Sequence, residues 1–254
     1  VNCGIAEANM IGVAAGLAST GYKPIAHTFG AFASRRCFDQ VFLSAGYAHN
    51  DITVIGSDPG VCAAFNGGTH MPFEDIALYR TIPGSTVIDA TDTSLLESAL
   101  RQAVHLPGVK YIRMGRRQNA RVYARGAHLP IGRAVKLRDG GDLLIVAEGI
   151  MVHEALQAAE RLAREGVEAT VLDMFTIKPL DTDALLAEAA RTRAVVTAEN
   201  HSRIGGLCSA VCDLLCEKLP TPVACVAVGE RFGEVGPQDY LQEHFGLTAD
   251  RICA

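Results

Sequence analysis

The sequence predicts an α/β protein of two three-layer α/β/α domains with mainly parallel sheets, and three observations carry that prediction. Short aliphatic and β-branched runs alternate with segments of helical period along most of the chain, which implies right-handed crossovers and parallel pairing. The 254 residues suffice for two medium domains, and 49% apolar with 20% charged residues is ample material for their cores. The alternation breaks once, at about residues 120–142, where arginine and glycine are frequent and Pro130 stands. The expected division is therefore a first domain at residues 1–122, a linker at 123–138 and a second domain at 139–254.

The chain opens on Asn2-Cys3-Gly4-Ile5-Ala6-Glu7-Ala8-Asn9-Met10, a helix start whose apolar period continues through Val13, Ala14 and Leu17. No strand precedes it, so the first domain is expected to lack its N-terminal strand and helix. After Gly21, Pro24-Ile25-Ala26-His27-Thr28-Phe29 reads as extended, residues 36–47 as helix and Asp51-Ile52-Thr53-Val54-Ile55-Gly56 as strand. A glycine-rich loop at 58–70 leads to a helix at 73–81, stopped by Pro83. A strand at 86–88, a helix at 94–105 and a strand at 109–114 complete the first unit. The second begins with the apolar run Leu143-Leu144-Ile145-Val146-Ala147, a buried strand, and an amphipathic helix at 152–164 ending near Gly166. Ala169-Thr170-Val171-Leu172 is the next strand, Asp181 opens a helix, and 194–198 is a strand. Gly205-Gly206 leads into a helix through Lys218, and 223–228 is the last strand.

Composition excludes several classes of function. No apolar run approaches the ~18 residues of a membrane span, and no basic segment followed by an apolar one marks a secretory signal. A net charge of −5 lacks the basic footprint of a nucleic-acid binder. The eight cysteines form no paired framework, as in a reduced cytoplasmic protein. Cys208, Cys212 and Cys216 recur every four residues of a helix, so the outer two lie ~12 Å apart. That is too far for one metal ion, and the three read as small packing residues.

Four stretches have chemistry to offer. Glu7, among small and apolar residues, is expected to be poorly solvated, with raised proton affinity suited to holding a proton at neutral pH. Phe29 and Phe32 flank a strand end, where open α/β sheets bind ligands, and could stack on a flat heterocycle. Phe38 and Phe42 read as core. Asn66-Gly67-Gly68-Thr69-His70 lets backbone approach a ligand and ends in a residue able to donate, accept or carry charge. Arg113, Arg116, Arg117, Arg121 and Arg125 cluster in an otherwise acidic chain. Their guanidinium forks suit phosphate, although Arg121 and Arg125 read as a solvated linker face.

In their order and spacing these stretches resemble the C-terminal half of a thiamine-diphosphate-dependent transketolase, in the form whose polypeptide is split between two subunits. Cys3 to Met10, Thr28-Phe29 through Phe32, Gly68-Thr69-His70, Glu74-Asp75-Ile76-Ala77 and Thr176-Ile177-Lys178-Pro179-Leu180-Asp181 carry the resemblance. It implies a pyrimidine-binding domain followed by a C-terminal domain, with the diphosphate-binding domain and the Mg2+ ligands on a partner N-terminal subunit. It implies transfer of a two-carbon ketol unit from a ketose phosphate to an aldose phosphate through the cofactor's ylide. Glu7 would then bond the cofactor's aminopyrimidine, Phe29 and Phe32 would pack on it, and His70 would contact substrate hydroxyls. Arg116 or Arg117 would hold the sugar phosphate, with Arg113 a near neighbour sharing that role.

The resemblance also implies an assembly with two copies of this chain, a heterotetramer. Around the sugar the sequence departs from the family. Asp58 stands for a usual histidine, Ala64-Phe65-Asn66 for Gly-Glu-Asp, and His27 for a small residue, so recognition of hydroxyls or phosphates must differ. Alternative readings are a subunit like deoxyxylulose phosphate synthase, one like the β subunit of 2-oxo acid dehydrogenase, or a non-catalytic partner.

Overall fold

In the computed structural model, which describes residues 1–117 and 119–254, two five-stranded sheets organise the chain. Gln118, within the Arg117-Gln118-Asn119 alternative for phosphate binding, lies outside the described residues. The first sheet has the order β1-β2-β4-β3, all parallel, from β1 (Ile25–Phe29), β2 (Ile52–Ser57), β3 (Thr86–Asp89) and β4 (Val109–Met114). The second is built from β5 (Val135–Arg138), β6 (Leu143–Ala147), β7 (Ala169–Asp173), β9 (Val195–Ser202) and β10 (Val223–Val228), in the order β10-β9-β6-β7-β5. The remaining strand, β8 (Thr176–Lys178), leaves the second domain and pairs antiparallel with β3 at the edge of the first sheet. All six residues of β2 and all of β3 are buried, as strands covered on both faces require.

Helices cover both sheets. α1 (Glu7–Ser19), α2 (Gly30–Ser34), α3 (Phe38–Gln40) with a wider helical turn at Val41–Tyr47, and α4 (Asp75–Arg80) lie on one side of the first sheet. The single helix expected at 36–47 is therefore two short pieces preceded by α2. Phe38 and Phe42 pack on this core with ring centroids 6.0 Å apart, as expected. α5 (Thr93–Ala103) covers the other face together with Tyr123, Leu129 and Phe175. The segment read as a linker is thus part of the structure. Asp92 caps α5 through Leu95 N–H at 2.9 Å and accepts from the amides of Val122 and Tyr123. Farther on, β5 forms an antiparallel edge of the second sheet. α6 (Met151–Arg164), α7 (Thr182–Ala189), α8 (Leu207–Lys218), α9 (Gln238–Phe245) and α10 (Ala249–Cys253) complete the second domain. Among the described residues, no helix is long and apolar enough to cross a membrane.

The sheets meet through a dry polar seam. Arg113 of β4, with a fully buried side chain, donates to Asp75 at 2.9 Å, Asp89 at 2.6 Å and the Asn200 carbonyl at 3.0 Å. The Asn200 side chain in turn bonds the Pro59 carbonyl and the Val61 amide. Asp173 receives hydroxyls from Thr91 at 2.7 Å and Tyr123 at 2.6 Å. Burial nevertheless pushes the Asp173 carboxyl up to about 7, outweighing both hydroxyls.

A folded-state value above the unfolded one means stability that is full below the unfolded carboxylate range and lost as pH rises through about 7. Asp89, about 6, and Glu199, about 7, are raised by burial in the same sense, while His201, lowered by burial to about 4, opposes them. Thermal melting of the chain is expected to occur at lower temperature at pH 8 than at pH 5.5, with Asp173→Asn reducing the difference. Melting that rises steadily over that interval would contradict this reading of the seam.

Candidate active site

Parallel strands share a direction, so β1, β2 and β4 deliver their C-terminal ends to one edge of the first sheet. Phe29 pairs in register with Ser57, and Ser57 with Met114. The residues that leave the sheet there, Phe29, Asp58 and Arg116, emerge side by side at the edge where open α/β sheets bind ligands.

Glu7 is the first residue of α1 and is buried. Its carboxylate accepts from Arg36 Nη1 at 2.9 Å and from Thr28 Oγ1 at 3.3 Å. This corrects the expectation of raised proton affinity. Burial alone pushes the Glu7 carboxyl up, but the hydrogen bond and charge of Arg36, helped by the Glu7 backbone and Thr28, hold it below the usual range. Glu7 is therefore an ionised acceptor at neutral pH, and among the described residues the one side-chain donor to its Oε1 is Thr28, at 3.3 Å.

An aromatic wall stands beside it. α2 starts directly after Phe29 and turns Phe32 back toward that ring, with centroids 6.1 Å apart and planes at 90°. His70 meets both edgewise, 5.5 Å from Phe29 and 4.9 Å from Phe32. Its Nδ1 lies 2.9 Å from Thr69 Oγ1. The loop carrying His70 is held from below by the second domain, because a Cβ on Gly68 would collide with the Gly233 backbone.

Each ring face has a guanidinium. Arg36 lies 3.9 Å above Phe32, and Arg116 lies 4.5 Å above Phe29, in the geometry of cation–π attraction. Asp58, with φ +56°, accepts from the Arg116 amide at 3.0 Å and from Arg116 Nε at 2.6 Å. Glu7, Arg36, Phe32, His70, Phe29, Arg116 and Asp58 thus form an unbroken row from a carboxylate acceptor, across an apolar wall, to a half-exposed cation.

The other expected residues fall differently. His27 and Asn66 are exposed, and Arg117 is exposed with its guanidinium 5.9 Å from the Phe65 ring. Arg113 departs from its expected role, because it faces inward and is fully engaged by Asp75 and Asp89. Alternation along β4 turns it away from the position Arg116 reaches after the strand ends. Arg36 was absent from the sequence-based site. Its contact with Glu7 spans 29 residues, and the break between α2 and α3 that creates it has no sequence signal.

Comparison with known proteins shows the family. Residues 1–121 match the model of the transketolase pyrimidine-binding domain, and residues 132–252 that of the transketolase C-terminal domain. The 6-deoxy-6-sulfo-D-fructose transketolase subunit SqwH of Clostridium sp. (strain MSTE9) is 52% identical over 252 residues, spanning 99% of this chain and 78% of that one. One of the subunits of an apulose-4-phosphate transketolase from Phocaeicola vulgatus is 35% identical, over 100% of this chain and 81% of its own. Among solved structures, a split gene transketolase described as an inactive β4 tetramer superposes with a TM-score of 0.92. It is 40% identical, covering 98% of this chain and 80% of that one.

Proposed function

The chain belongs to the transketolase family as a C-terminal subunit, a transferase that acts with a partner subunit, and from that premise we propose that the row from Glu7 to Asp58 forms its half of the active site. The observation that supports this most is the placing of the ionised Oε1 of Glu7 beside the Phe29–Phe32–His70 wall. A ring-protonated aminopyrimidine needs those two things, an acceptor for its ring N–H and aromatic edges for its faces. When bound, thiamine diphosphate supplies a nucleophilic carbon and an electron sink. Glu7 holds the ring proton at Oε1, and Phe29 and Phe32 exclude water around that bond. His70, its Nδ1 occupied by Thr69, directs Nε2 to substrate hydroxyls. The diphosphate and the Mg2+ ligands belong to the partner N-terminal subunit, in a heterotetramer with two copies of this chain. The free state of all eight cysteines supports a place in cytoplasmic carbohydrate metabolism.

The Asp58–Arg116 pair narrows the sugar. Asp58 cancels part of the Arg116 charge, so this end of the site favours a monoanion over a dianion. A sulfonate carries one charge, and a phosphate monoester roughly 1.5 to 2 at neutral pH. The donor is therefore a ketose ending in a sulfonate, as in the name of the Clostridium relative. After reconstitution with a diphosphate-binding subunit, kcat/KM is expected to be higher for the sulfonated ketose than for its phosphate counterpart. Asp58→Asn is expected to raise relative use of the phosphate about fivefold, the equivalent of ~1 kcal/mol for a half-exposed pair. A wild-type preference for the phosphate that Asp58→Asn leaves unchanged would overturn the assignment.

A further inference from the structure

Two thiols and a carboxylate converge in the second domain, with a third thiol beside one of them, on a different sheet from the site above. Cys225 of β10 pairs in register with Thr197 of β9. Residues two apart on a strand share a face, so Glu199 stands on the same side as these two. α8 packs across that face, and Cys208 and Cys212, one turn apart, share one side of the helix. The ligand atoms of Glu199, Cys208 and Cys225 all lie within 4.8 Å of one another. Cys208 Sγ is 3.9 Å from Cys212 Sγ, and Cys225 Sγ is 3.8 Å from Glu199 Oε1.

We propose that Glu199, Cys208 and Cys225 form a binding site for a thiophilic divalent cation of the zinc class. The spacing of these three fits, since ligand atoms around an ion with centre-to-sulfur distances of ~2.3 Å stand about 3.8 Å apart, and all three lie within 4.8 Å of one another. Glu199 also accepts from the amides of Leu207 at 2.7 Å and Cys208 at 3.0 Å. These bonds fix its orientation and leave part of its roughly four lone-pair sites for a metal.

Thr197 adds a supporting group. It is fully buried beside the Cys208 and Cys225 thiols, with its hydroxyl within hydrogen-bonding reach of both. Metal-bound thiolates would accept that hydroxyl, as supporting groups around metal ligands do. Three protein ligands leave one tetrahedral position open to water. Cys216, exposed one turn beyond Cys212 on α8, is not a ligand.

The test uses the full chain, reduced and stripped of metal, titrated with Zn2+ against a chromophoric chelator and separately with Co2+. One equivalent of Zn2+ per chain is expected, with an upward shift of the melting temperature. Co2+ should give thiolate charge-transfer absorption and the intense visible bands of tetrahedral geometry. Cys208→Ser with Cys225→Ser is expected to abolish both signals, and Cys216→Ser to leave both intact. Circular dichroism separates loss of a ligand from loss of fold, and the single Cys225→Ser should weaken the Co2+ charge-transfer band in a folded chain, while Cys212→Ser leaves it in place. Absence of stoichiometric Zn2+ binding by the wild type, undiminished binding by the double variant, or a Cys208–Cys225 disulfide forming in place of metal binding would each overturn the proposal.

Discussion

Glu7→Gln, in the chain reconstituted with a diphosphate-binding subunit, is expected to lower kcat by about 10²- to 10⁴-fold, the range removed with a positioned proton-transfer group. The amide keeps the size of the side chain and can still meet Thr28, but it cannot take or hold a proton. The effect should fall on kcat and on affinity for thiamine diphosphate, with the KM of the sugar nearly unchanged, because His70 and Arg116 lie farther along the row. Folding should survive. The Arg36 side chain is 44% exposed, so losing its partner strands no buried charge. Steady-state kinetics, cofactor titration and thermal melting on the same preparations check all three statements. Full activity of Glu7→Gln in the complex would remove Glu7 from the mechanism and favour a non-catalytic partner role.

The second large effect is on stability. Arg113→Met is expected to destabilise the chain by about 3–5 kcal/mol, the usual cost of removing one partner of a buried ion pair. At roughly 2–4 °C per kcal/mol for a chain of this size, melting should fall by on the order of 10 °C. The cause is specific. Asp75, Asp89 and Glu148 all lie within 4.0 Å of that guanidinium in a region without solvent, and methionine would leave them together uncompensated. Arg113→Lys should recover only part of the loss, since an ammonium keeps the charge but cannot fork to Asp75, Asp89 and the Asn200 carbonyl. If Arg113→Met melts like the wild type and instead raises the KM of the sugar anion, Arg113 is a ligand for substrate after all.

The local order of the chain was largely legible in its sequence. β6, at the centre of the second sheet, announces itself as an uninterrupted apolar run, because a strand buried on both faces has no need of a polar side. α5 and α7 begin where Asp92 and Asp181 supply caps. Glu7, Phe29, Phe32 and His70 could be named in advance because their residue types and order carry the chemistry. β5 and β8 were not legible, being short edge strands whose sheets are chosen by distant partners. The linker could not be told from core, because Tyr123 and Leu129 are isolated apolar residues in polar surroundings.

What remained hidden has one physical reason. Residue type and spacing report which groups are present and which face of a local element they share. They do not report which groups from distant segments share a dry space, and charges depend on that. Arg113 and Arg116 are three residues apart and alike on paper, yet one is sealed in a seam of carboxylates and the other lies over Phe29 at the open edge. Glu7 looked like a desolvated acid until Arg36 was found beside it. Cys208 looked like packing until the fold brought Cys225 and Glu199 to it. The sequence alone determined the two-domain α/β plan and the identity of the chemical groups. Tertiary structure decided their charge states and their partners, because Coulomb and desolvation energies depend on three-dimensional distance and burial.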